Sequence, residues 1–152
     1  MAKRVITKLY SNPTSPFARK IHVFLREAAM IDQVEIETVA GHPTDSGSIP
    51  LEANPLGKLP IMVLDDGEFV YDSRIITLYI DSVAQMGLYP AVTSALRTHV
   101  LEAAADGIMD AAVLMVYEAR SRAEDKIDPQ WVEGQWARID RKRRLITHWV
   151  TA

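Results

Sequence analysis

Cysteine does not occur in the 152 residues. Its absence excludes disulfides, cysteine-ligated zinc, thiol peptidases and dithiol redox motifs, so any sulfur chemistry must act on a thiol carried by a ligand. No apolar run approaches the ~20 residues that a membrane-spanning helix needs. The opening Met1-Ala2-Lys3-Arg4-Val5-Ile6-Thr7-Lys8 lacks the uninterrupted apolar core of a signal peptide, and a cytoplasmic location is expected. The four histidines, His22, His42, His99 and His148, have no metal-ligand spacing among themselves. No metal is therefore expected, and none of the four is assigned a function. A net charge of −3 gives no support to nucleic acid or an anionic membrane as partner. Internal repeats and low-complexity segments are lacking too. What the chain does have is 48% hydrophobic residues, enough for a core in one unit or in a small domain with an appendage.

The most informative stretch runs from Asn54 to Ile75. Ile61 to Leu64 is a short apolar run, Asp66-Gly67 is a hairpin turn signal, and Phe69 to Tyr71 returns as a second strand. Asp72-Ser73 sits where a helix begins, ahead of the apolar spacing Ile75, Ile76, Tyr79, Ile80. A helix start offers unpaired N–H groups and a partial positive charge, and so suits a carboxylate. Pro60 restricts Leu59 to an extended conformation, leaving its backbone groups free. Together these features suggest a groove for a short acidic peptide, held by its backbone and its carboxylate. The plainer reading is a hairpin packed on a helix, without a ligand.

Upstream, Val5 to Ser11 alternates as a first strand. Asn12 to Ser15 is a loop; Ser15 is a good N-cap, and Pro16 fits the first helical position. The helix is expected to run to about Ala29, with Ile21, Phe24, Leu25 and Ala28 on one face. Val34 to Val39 is a second strand, predicted parallel to the first, and Gly41 to Ser48 is a polar loop. Ser82 to Val92 reads as a linker broken by Gly87 and Pro90. Beyond it, Leu96, Val100, Ala104, Ile108, Ala111 and Met115 lie on one stripe of a long helix extending to about Arg122. Asp128-Pro129 opens another helix, with Val132, Trp136, Ile139, Ile146 and Val150 along one face.

The run Asn54-Pro55-Leu56-Gly57-Lys58-Leu59-Pro60, followed by Asp72-Ser73, resembles the glutathione-binding half of the glutathione transferase family. A second matching segment, Tyr10 to Lys20, lies upstream at the expected separation. Asp72 stands where that family more often has Glu, which keeps the charge and shortens the reach. The resemblance implies an α/β thioredoxin-like domain (βαβ–ββα), in agreement with the element spacing, followed by a shortened all-α helical region. The expected organisation is 1–81 for the glutathione-binding domain, 82–92 for the linker and 93–152 for a partial helical domain. The lack of cysteine points away from the family's Cys branches, and the resemblance is to a bacterial Ser-type member. In such members a hydroxyl in the first turn favours the glutathione thiolate, and Ser15 is the candidate, with Ser11 and Thr14 as rivals in the same turn. The resemblance further implies that Leu59 pairs its backbone with the cysteinyl unit and that Pro60 holds Leu59 in place. Asp72 and Ser73 would take the γ-glutamyl end. Lys58 would meet the glycine carboxylate or remain a solvated surface lysine.

The expected reaction is attack of the glutathione thiolate on a small electrophilic, apolar compound, with glutathione as substrate and no metal. The alternative is a glutathione-binding or oligomerising module without turnover. Full-length members carry more helices than the two read here, and Arg143 falls on the apolar row of the last one. An open helix pair would leave Trp131, Trp136 and Trp149 partly uncovered, so a homodimer or other homo-oligomer is expected. The run Arg141-Lys142-Arg143-Arg144 reads as a solvated helix face, not a nucleic-acid patch.

Overall fold

Strand β1 (Ile6–Ser11) is the hub of a mixed four-stranded sheet. It pairs in parallel with β2 (Glu35–Thr38) and antiparallel with β3 (Ile61–Leu64), which in turn pairs antiparallel with β4 (Phe69–Val70). The spatial order is β2-β1-β3-β4. Helix α1 (Pro16–Glu27) joins β1 to β2, and α2 (Ser73–Ala84) follows β4, giving the βαβ–ββα thioredoxin-like order expected from the sequence. The computed structural model describes residues 4–89 and 91–151. The chain divides into two units, Met1–Tyr89 and Pro90–Ala152.

Plain alternation along β1 would send Ile6 and Leu9 to opposite faces. A register shift against β3 between Ile6 and Lys8 absorbs the extra residue, and both side chains enter the same core. There they meet Ile21 and Leu25 of α1, Met62 and Leu64 of β3, and Ile76 and Ile80 of α2. A smaller cluster of Val39, Ile49, Ala53 and Ile61 packs with Tyr10 and Leu59. The Asp66-Gly67 turn closes the hairpin with Gly67 at φ +85°, a conformation that favours glycine. Lys8 is held by Glu37 at 2.7 Å and Glu35 at 3.2 Å, which raise its pKa and pin β1 to the exposed side of β2.

Helix α2 continues to Ala84, so Ser82 to Ala84 are helical and not part of a linker. The residues after it are strapped down. The buried Asp81 carboxylate accepts from the N–H groups of Leu88 (2.8 Å) and Tyr89 (3.2 Å). The Tyr89 hydroxyl lies 3.1 Å from Thr77 Oγ1, and its ring meets that of Phe24.

The second unit is an antiparallel pair, α3 (Val92–Ser121) and α4 (Pro129–Thr151). Asp128 caps α4 by accepting from Gln130 N (2.9 Å) and Trp131 N (3.1 Å). The expected stripe on α3 is only partly covered: Ala111 is buried, while Leu96 and Val100 are exposed. On α4 the buried row differs from the expected one. Gln135 is buried and Trp136 is 58% exposed. Across from α4, on α3, Gly107 has no side chain, and the stem of Lys142 lies over it. Trp136 is partly uncovered, as expected for an open helix pair. Trp131 is half-buried, Arg143 and Arg144 both pair with Asp140, and Pro90 and the side chains of Trp149 and Val150 lie outside the described residues. Among the described residues, no helix is long and apolar enough to cross a membrane, and no cluster of His, Asp or Glu has the makings of a metal site.

Candidate functional site

The strand register gathers the predicted residues at one end of the sheet. Tyr10 pairs with Ile61, so the end of β1 lies beside the start of β3. Met62 pairs with Val70, so the end of β4 lies there too. The Ser11–Ser15 turn, the Lys58–Pro60 entry and the Asp72–Ser73 helix start therefore converge on one edge. Two helix N-termini, those of α1 and α2, open at the same edge.

In the first turn, Asn12 is the organiser. Its Oδ1 accepts from Thr14 N (3.0 Å) and from the Thr14 hydroxyl (2.6 Å), and its Nδ2 donates to Val39 O at 2.9 Å. Its carbonyl accepts from Ser15 N at 3.0 Å. Ser15 is the N-cap of α1: its Oγ accepts from Ala18 N at 3.2 Å, with Pro16 at the first helical position. A hydroxyl has one proton to donate and two lone pairs. Capping uses a lone pair of Ser15 and leaves its proton uncommitted among the described residues. Thr14 has spent its proton on Asn12. Ser11 is 2% exposed and lies 2.8 Å from His22 Nε2. Capping and proton donation are thus compatible at Ser15, while its two rivals are engaged elsewhere.

On the other side, buried Asn54 shapes the loop. Its Nδ2 donates to Lys58 O (2.9 Å), and its Oδ1 accepts from Leu56 N at 3.1 Å. Its backbone receives Gly57 N at 2.9 Å, with Gly57 at φ +60°. The Leu59-Pro60 bond is cis and Pro60 is buried. Leu59 makes no backbone hydrogen bond among the described residues, so its amide and carbonyl remain open for a ligand strand. The Lys58 side chain is exposed. Asp72 is exposed and caps α2 by accepting from Arg74 N at 3.0 Å, while Ser73, at the first helical position, is almost fully buried.

Residues 14–83 match the family model "Glutathione S-transferase, N-terminal domain". A glutathione transferase family member from Pseudomonas fluorescens Pf-5, solved with bound glutathione, is 39% identical. It superposes with a TM-score of 0.82, covering 89% of this chain and 67% of its own. The chain belongs to the glutathione transferase family. It is also similar to a glutathione S-transferase from Methylobacillus flagellatus KT, solved with glutathione bound, at 35% identity and a TM-score of 0.74 over 91% of this chain and 67% of that one. The uncharacterised GST-like protein YibF of Escherichia coli K12 is 38% identical over 124 residues, which is 80% of this chain and 59% of that protein. The chain therefore spans 59% of the length of this curated relative.

In this transferase-family chain, two site residues escaped the sequence reading. Asn54 entered it only as part of the matched run, although an Asn-Pro-Leu-Gly turn signals a side chain that bonds the backbone two residues on. His22 was assigned no function, yet it holds Ser11. Burial, and then the charge of Arg26, lower its pKa from the ordinary 6.5. One available signal was its position four residues after Ala18, on the helix face turned towards β1.

Proposed function

We propose that this chain is a Ser-type glutathione transferase of the cytoplasm, acting as a homodimer or other homo-oligomer. Glutathione would lie along Leu59, with its γ-glutamyl end at Asp72 and the N-terminus of α2 and its glycine carboxylate near Lys58. Its thiol would sit at the start of α1, before Ser15. The observation that carries this reading is the uncommitted Ser15 proton at a helix N-terminus, beside an unpaired Leu59 backbone. A hydroxyl bond to sulfur at such a terminus favours the thiolate by about one to two pK units. The thiolate then forms a bond to an electrophilic carbon of a small apolar compound, and the leaving group departs with the bonding pair. The glutathione-bound relatives support the ligand, and the hydrogen-bond pattern supports the choice among the three hydroxyls.

Calorimetric titration with reduced glutathione, followed by turnover assays on small aryl and alkyl electrophiles, tests the proposal. Saturable binding at one site per chain is expected, with turnover reduced at least ~10-fold in Ser15→Ala. Absence of binding at millimolar glutathione overturns the reading. Binding without turnover on any electrophile moves the conclusion to a non-catalytic glutathione-binding module.

A further inference from the structure

The turn that carries Ser15 closes into a ring through His22. Ser11 Oγ meets His22 Nε2 at 2.8 Å. One helical turn before His22, Ala18 donates its N–H to Ser15 Oγ at 3.2 Å. Ser15 donates its own N–H to Asn12 O at 3.0 Å, and Asn12 is the covalent neighbour of Ser11. Other bonds hold the same turn to the sheet: Val39 N donates to Ser11 O at 3.0 Å, and Asn12 Nδ2 to Val39 O at 2.9 Å. The Ser11–His22 bond instead ties the turn to the second turn of α1. At its Ser11 end the bond is shielded from water, because Ser11 is 2% exposed. With the His22 pKa lowered by burial, an uncharged ring meets an uncharged hydroxyl at neutral pH.

We infer that His22, acting through Ser11, is a positioning residue that fixes where the Ser15 hydroxyl stands at the start of α1. The inference rests on the thiol-activating role proposed above for Ser15. Satisfying a buried hydroxyl would not by itself affect the bound thiol; setting the place of Ser15 would.

The test uses the full chain with reduced glutathione, following thiolate absorbance against pH, the dissociation constant by calorimetry, and kcat with one electrophile. His22→Leu and Ser11→Ala are expected to raise the apparent pKa of the bound thiol by ~0.5–1 unit and to lower kcat about three- to tenfold. The dissociation constant should stay within about twofold, and the double variant should be no worse than either single one. His22→Gln, whose amide reaches the place of Nε2, should recover most of the loss. An unmoved thiol pKa in folded Ser11→Ala, while Ser15→Ala does move it, overturns this inference alone. Equal losses in His22→Gln and His22→Leu also overturn it, since they report packing and not the hydrogen bond. If Ser15→Ala leaves the thiol unmoved, the thiol-activating reading falls, and this inference falls with it.

Discussion

Asn54→Ala separates the loop that presents Leu59 from the rest of the fold. The substitution leaves the backbone bonds of residue 54 to Pro50 and Gly57 in place and removes two others, Nδ2 to Lys58 O at 2.9 Å and Leu56 N to Oδ1 at 3.1 Å. Each such bond contributes about 0.5–1.5 kcal/mol net. Lys58 and Leu56 are exposed, so water recovers part of the loss, and a total near 1–2 kcal/mol follows. Glutathione must then order a loop that the wild-type protein holds ready, and affinity should fall ~10-fold, equivalent to about 1.4 kcal/mol. Asn54→Asp is a sharper probe. It keeps the acceptor for Leu56 but turns a carboxylate oxygen towards the Lys58 carbonyl, and it should be at least as damaging as alanine. Urea unfolding gives the stability term and calorimetric titration the affinity term. An Asn54→Ala protein that unfolds within ~0.5 kcal/mol of wild type and binds glutathione equally well would refute the reasoning, leaving Gly57 and Pro60 as the loop's organisers.

Three further outcomes follow from the geometry. Thr14→Ala should keep turnover within about threefold of wild type, because its proton is spent on Asn12; a loss as large as that of Ser15→Ala would reassign the thiol donor. The lowered His22 pKa means that the unfolded chain takes up a proton that the folded chain resists. Stability should therefore hold above pH 6.5 and decline as the pH falls below it, and His22→Gln should flatten that decline in urea titrations; identical slopes would count against the desolvated ring. Gly107→Ala on α3 would set a Cβ against Lys142 Nζ, the flexible end of a chain that swings to solvent. The gain in helix propensity, up to ~1 kcal/mol, should outweigh the lost packing and leave a net stabilisation near 0.5 kcal/mol. Destabilisation beyond ~1 kcal/mol would show that the Lys142 stem is fixed in place.

The parts that could be read from the sequence were those set by local chemistry. Ser15 with Pro16, Asp72, and Asp128 with Pro129 announce helix starts within two residues, and Asp66-Gly67 announces its turn. The parallel pairing of β1 with β2 and the β3–β4 hairpin followed from strand spacing. Long-range packing was not readable in the same way. The shift between Ile6 and Lys8 depends on the partner strand, so a pattern taken from β1 alone misses it. The buried place of Gln135 on α4 and the Lys142 stem lying across Gly107, some thirty-five residues earlier, likewise depend on the facing helix. Ser11 and His22 are polar residues eleven positions apart, and no periodicity links them. The candidate site was accordingly readable as a set of segments, while the hydrogen-bond partners that distinguish Ser15 from Thr14 and Ser11 were not.

The strap after α2 has a consequence for protein engineering. Asp81, Thr77 and Phe24, which receive the backbone and side chain of residues 88 and 89, all belong to the first unit. A junction for chimeras or inserted cargo therefore belongs after Tyr89. A cut after Ala84, where the helix itself ends, would strip the Asp81 carboxylate of two donors and uncover one face of Phe24. A splice beyond Tyr89 carries its own tether across into whatever is joined.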